Sequence, residues 1–184
     1  MDRENSRQAT LHRLLLALAI IVVAAALRIA PHPWNFTPVG AMALFSGAMV
    51  RDRRLAFAFP LLALFVGDIF VGFHKLMPIV YSSFLLSVLI GRWVQNHRSL
   101  AWVGAAALLG SIQFFLVTNL GIWALGGSYS HSLSGLAACY AAGVPFFWST
   151  LAGDVFYAAL GFGCFALAER LVPVLREPAP AVIR

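Results

Sequence analysis

Six apolar runs, each bounded by proline, glycine or basic residues, take up most of this sequence. A helix of about 20 apolar residues crosses the hydrocarbon layer of a bilayer, so runs of this kind limit the fold more than any single motif. The predicted segments are Leu11–Ala30 before Pro31 and Pro33, Val39–Val50 after Pro38, and Leu55–Phe73 before His74-Lys75. The remaining three are Ile79–Val94 after Pro78, Leu100–Leu125 before Gly126-Gly127, and Phe146–Val172 after Pro145. Proline is tolerated in a first helical turn, so Pro145 is read as the start of the last helix. Leu136–Val144 is too short to span and is read as a separate interfacial or re-entrant piece.

Composition agrees. Hydrophobic residues make up 61% of the 184 and charged residues 11%, with mean hydropathy +0.85. Soluble domains are usually about 45–50% apolar and about 25% charged. The difference argues against a soluble enzyme, a disordered chain, a nucleic-acid module or a disulfide-stapled secreted domain. The net charge of +6 is therefore read as topology. With the N-terminus inside, Arg3, Arg7, Arg13, Arg51, Arg53, Arg54, Arg92, Arg98, Arg170, Arg176 and Arg184 fall on the cytoplasmic side. Arg28 and Lys75 fall outside, a split of 11 to 2 among the 13 basic residues. Lysine and arginine favour the cytoplasmic side. The expected fold is an all-α integral membrane protein of six transmembrane helices with both termini cytoplasmic. Residues 1–172 form one domain, and 173–184 are expected to be a disordered tail.

Val39–Val50 covers only about 18 Å at 1.5 Å per residue, so it needs a protein-lined surround. Its small residues Gly40, Ala43 and Gly47 permit close helix approach. The first run could also serve as a signal peptide, but Asp2, Glu4 and Arg28 argue for a retained span.

Catalytic motifs are missing. Lys75 is the single lysine and belongs to no phosphate loop, so no ATP-binding or clear catalytic motif supports an enzyme. Cys139 and Cys164 lie in different apolar segments, without zinc or haem spacing, and are read as packed thiols. No cofactor is expected. An intramembrane aspartyl protease would need paired carboxylates, and its Gly-x-Gly-Asp signature is absent.

Two acids fall inside apolar runs, where a carboxylate costs about 2.5–3.5 kcal/mol on insertion scales. These are Asp68 and Asp154, both assigned to the outer half of the bilayer. One reading has either acid paired with Arg28 or held by hydroxyls to fix helix packing. The other joins them with Phe115, Asn119 and Trp123 at i, i+4, i+8 and with the stripe Phe147, Thr150, Asp154, Tyr157. Asn35, Tyr129 and Tyr140 fall on the same side. The second reading predicts a polar pocket lined by Asn35, Asp68, Asn119, Trp123, Tyr129, Tyr140 and Asp154, the form of a small-ligand site.

These residues carry a resemblance. Asn35-Phe36-Thr37-Pro38, Ala41-Met42-Ala43-Leu44-Phe45, Asp68, Thr118-Asn119, Trp123, Gly135-Leu136-x-x-Cys139-Tyr140, Pro145-Phe146-Phe147 and Gly153-Asp154 resemble a bacterial family of small transport-type membrane proteins. That family in turn resembles the substrate-binding S components of energy-coupling-factor (ECF) vitamin transporters. The resemblance implies a protein of the bacterial inner membrane that holds a vitamin-type solute near its outer face for uptake. It also implies a membrane coupling subunit with ATPases as partners. S components commonly dock through small residues in the first helix, but Ala26-x-x-x-Ala30 lies at the outer end here. A solitary transporter of the cobalamin type is therefore a further reading.

Two competitors come from other classes, beside a third, a membrane enzyme such as a haem protein, for which no two histidines share a span at mid-depth. One is a nickel, cobalt or zinc importer using His32, His74 and His131. The other is a structural subunit of a membrane complex, with a partner covering the outer polar face.

Overall fold

The structure is a computed structural model that describes residues 2–29, 33–97 and 99–175. His32, Arg98, Arg176 and Arg184 lie outside the described residues, as does the predicted tail from residue 176 onward. The described residues form six α-helices and no strand. The helices are α1 (Asp2–Ile29), α2 (Val39–Met49), α3 (Arg53–Val71), α4 (Met77–Val94), α5 (Leu100–Leu125) and α6 (Leu133–Leu171).

Local chemistry places several boundaries. Asp52 caps α3, its carboxylate accepting from Arg54 N at 2.8 Å and Leu55 N at 3.0 Å. Ser132 caps α6 by accepting from Gly135 N at 3.1 Å. Before α2 the chain turns sharply, Phe36 N donating to the Pro33 carbonyl at 3.0 Å. Asn35 takes φ 59° in that turn, a left-handed conformation that asparagine tolerates.

Helix α2 is the centre of the fold. It packs against each of the other five helices, and Val39 and Ala41–Ala48 are buried. An 11-residue apolar helix is accommodated because protein surrounds it. Contact with α4 is at backbone distance: a Cβ on Gly47 would overlap the Val88 carbonyl, and one on Gly91 the Leu44 carbonyl. Such small-residue crossings suit an apolar surround, where lipid removes most of the hydrophobic drive and close packing must hold helices together. Farther along, Phe45 meets the rings of Phe162 at 5.3 Å and Phe165 at 5.9 Å.

Four helices, α1, α4, α5 and α6, are long and apolar enough to cross a membrane. Their outer faces expose Val22, Val23, Leu89, Leu120, Phe156 and Leu167, an apolar exterior that calls for a lipid surround. Helix α3 carries Arg53, Arg54 and Asp68 within its 19 residues.

Three boundaries differ from expectation. Helix α1 starts at Asp2, well before Leu11. The predicted short piece Leu136–Val144 and the last span form one helix of 39 residues with Pro145 inside it. Packing on α5 holds this helix across the proline: the Tyr140 hydroxyl donates to the Leu116 carbonyl at 2.7 Å, and the Phe147 ring lies 5.3 Å from Phe115. At 1.5 Å per residue α6 is about 58 Å long, far beyond a ~30 Å hydrocarbon core. Finally, the expected tail does not begin at residue 173. Pro173–Leu175 form a 3-10 turn whose Leu175 is buried and whose carbonyl accepts from Arg13 at 2.7 Å.

The two ends of the bundle differ. At one, Arg13 of α1 meets Glu169 of α6 at 2.5 Å, and Arg92 of α4 donates to the Val50 carbonyl after α2 at 3.3 Å. Toward the other lies the 33–37 turn, with Arg28 in the last turn of α1 meeting Asp68 and Gly40 in the first turn of α2 meeting Asp154.

Candidate functional site

Asp68 and Asp154 are both buried, at 2% and 5% exposure, yet they belong to different places. Asp68 is ion-paired with Arg28 across α1 and α3, and its other oxygen accepts from the Tyr81 hydroxyl of α4 at 2.7 Å. Arg28 reaches it over Gly67, where a Cβ would come within 3.0 Å of the guanidinium Nε. Asp68 thus has both a cation and a hydroxyl as partners, and it lines neither of the two cavities beside Asp154.

Asp154 has different partners, on α5 and α2. Its Oδ2 accepts from the Ser111 hydroxyl of α5 at 2.7 Å. Its carboxylate lies against Gly40 in the first turn of α2, where the helix dipole favours negative charge. Beside it is a cavity of about 60 Å³ lined by Asn35, Thr37, Gly40, Phe84, Ser87, Gly110, Phe114, Thr150 and Asp154. An adjoining cavity of about 100 Å³ has Asn119, Thr118, Phe115, Ile122 and Gly143 on its walls, with Phe146 and Phe147. Asn35, Phe114 and Thr150 line both, and the exposed Asn35 carries the pair of cavities to the end of the bundle.

The predicted site residues thus divide. Asn35, Asn119 and Asp154 come together. Tyr140 does not line either cavity; its ring packs edge-on at 5.5 Å against Phe115, which does. Trp123 turns away: its indole N–H donates to the Ser130 carbonyl at 2.9 Å, and the His131 ring lies 5.6 Å from its own. Tyr129 also lies off both cavity walls. Of the α6 stripe, Phe147, Thr150 and Asp154 face the cavities, while Tyr157 packs at 5.6 Å on Phe36.

Sequence reasoning missed Ser111, Ser87 and Gln113. Gln113 Nε2 donates to the Ser83 carbonyl and the Ser87 hydroxyl, each at 3.0 Å, and its Oε1 accepts from Ser83 at 3.0 Å. Polar side chains inside apolar runs were the available signal, but hydroxyls can bond their own helix and so attract less notice.

A larger cavity of about 310 Å³ lies between α1, α2 and α6, lined by residues such as Ile20, Val23, Met42, Phe45 and Leu160. Tyr157 and Cys164 are the polar side chains on its wall, too few to orient a polar solute. Among the described residues no group of three or more His, Cys, Asp or Glu comes together to hold a metal. His131 Nε2 is 3.1 Å from the Trp123 carbonyl, within hydrogen-bond reach.

The fold and site define an all-helical protein with four helices long and apolar enough to cross a membrane and a small polar cavity pair set among aromatic rings. The chain belongs to the Family of unknown function (DUF6580), whose model matches residues 8–175. No curated protein and no solved structure matches it.

Proposed function

We propose that this is a six-span protein of the bacterial inner membrane that binds a small solute from the outer side and takes part in its uptake, in the manner of an S component. The observation that carries the reading is the cavity pair, which joins Asn35, Asn119 and Asp154 inside an otherwise apolar bundle. Buried polar groups at membrane depth are costly and commonly mark solute or ion paths. The arginines support this orientation: Arg13, Arg92 and Arg170 lie toward the end of the bundle opposite Asn35, and lysine and arginine favour the cytoplasmic side. Lacking a phosphate loop, such a protein takes its energy from a coupling subunit with ATPases or works alone.

Both cavities are smaller than the ~300–1,000 Å³ usual for drug-sized ligands. A vitamin-type solute therefore needs the site to widen, whereas a smaller one fits as it stands. The test is purification from the native host, identification of co-purifying small molecules by mass spectrometry, and uptake by cells with and without the gene. A bound solute that Asn119→Ala loses supports the reading. Protein that carries no solute, with uptake unchanged in the deletion, overturns it.

A further inference from the structure

The geometry points to a small organic monocation as the solute, with its positive charge held against Asp154. The inference rests on the reading of the cavity pair as a solute site and specifies what that site selects.

Asp154 differs from the other helix-borne acids with described side chains in lacking a basic partner. Asp68 has Arg28 and Glu169 has Arg13. The carboxylate of Asp154 meets the Ser111 hydroxyl and the first turn of α2 at Gly40. These neutral groups stabilise a carboxylate without cancelling its charge. Among the described residues Asp154 is also the one charged residue on either cavity wall. A lone carboxylate in a low-dielectric interior is unfavourable until a cation joins it, so an incoming cation gains what a neutral solute of equal shape does not.

The walls fit the same charge. Phe84 and Phe114 face the smaller cavity, with Phe115, Phe146 and Phe147 beyond them, and aromatic faces attract ammonium groups. Asn35, Thr37, Ser87 and Thr150 supply neutral oxygens that can accept from N–H groups. The space suits a compact head group beside Asp154 with a short tail toward Asn119. A divalent metal fits poorly, because magnesium and calcium favour six or more oxygen ligands and usually more than one carboxylate.

Binding of choline, ethanolamine, tetramethylammonium and guanidinium to the purified protein in detergent, measured by calorimetry, tests the inference. The control is the neutral carbon isostere of choline, and native mass spectrometry of protein from host membranes runs in parallel. The expected result is that at least one cation binds the wild type and that choline outcompetes its isostere. Asp154→Asn, which keeps an acceptor for Ser111, should weaken cation binding about 30-fold or more. Cation binding unchanged in Asp154→Asn overturns the inference, as does preference for the neutral isostere. Should that variant fail to fold, the wild-type comparison of choline with its isostere decides alone. A neutral or anionic native solute that depends on Asn119 removes the cation inference and leaves the solute-binding reading standing. Protein that carries no solute and binds none of the probes removes both.

Discussion

The Asp154 carboxylate lies so close to Gly40 that a methyl group on this glycine would overlap its Oδ1. The first turn of α2 thereby holds the acid against Ser111, and the residue that permits this is defined by its missing side chain.

Gly40→Ala should therefore displace the carboxylate and break its hydrogen bond with Ser111. We expect a loss of about 1–3 kcal/mol in stability from overpacking, together with weakened solute binding. Gly163→Ala is the control, because a Cβ there meets nothing within 4 Å. It should be neutral or stabilising by up to about 1 kcal/mol, since alanine is the better helix former. Thermal unfolding in detergent, with binding measured on the same samples, separates the two outcomes.

The Arg28–Asp68 pair should behave as a structural clasp. Arg28→Met alone leaves a buried carboxylate uncompensated and should cost about 3–5 kcal/mol. Combining it with Asp68→Leu should recover much of that loss, and Tyr81→Phe should cost only about 1 kcal/mol. Denaturant unfolding of the single and double variants gives the coupling energy. A double variant as unstable as the sum of its parts would show that the pair acts through something other than mutual compensation.

The crossing of α2 with α4 depends on Gly47 and Gly91. A valine at either position would collide with backbone of the facing helix, which a rotamer change cannot relieve. Either variant should lose at least about 3 kcal/mol or fail to accumulate folded, the upper range for overpacking. Size-exclusion profiles of the detergent-solubilised variants report this directly.

Gln113 ties α4 to α5 through Ser83 and Ser87. Gln113→Leu should lower stability by about 0.6–2 kcal/mol, the range measured for hydrogen bonds between membrane helices. Because Ser87 also lines the smaller cavity, a small change in solute affinity should accompany it. Unfolding and binding measured together test both effects.

Much of this architecture could be read from the sequence alone. Apolar length and proline placement set α2, α4 and α5 almost to the residue, since helix formation inside an apolar surround depends on local backbone satisfaction. The protein-lined burial of the short α2 followed from its length. Intramembrane cost singled out Asp68 and Asp154, and helical spacing put Asn119 on the same face as Phe115. What local rules could not supply was which helices touch. Pro145 looked like a helix start because the contacts that carry α6 through it come from α5. Asp68 and Asp154 looked like partners because depth is legible from sequence while angular position around the bundle is not. Only tertiary packing decided that Asp68 turns to Arg28 and Tyr81, and that Asp154 faces Ser111 and Gly40 beside an open cavity.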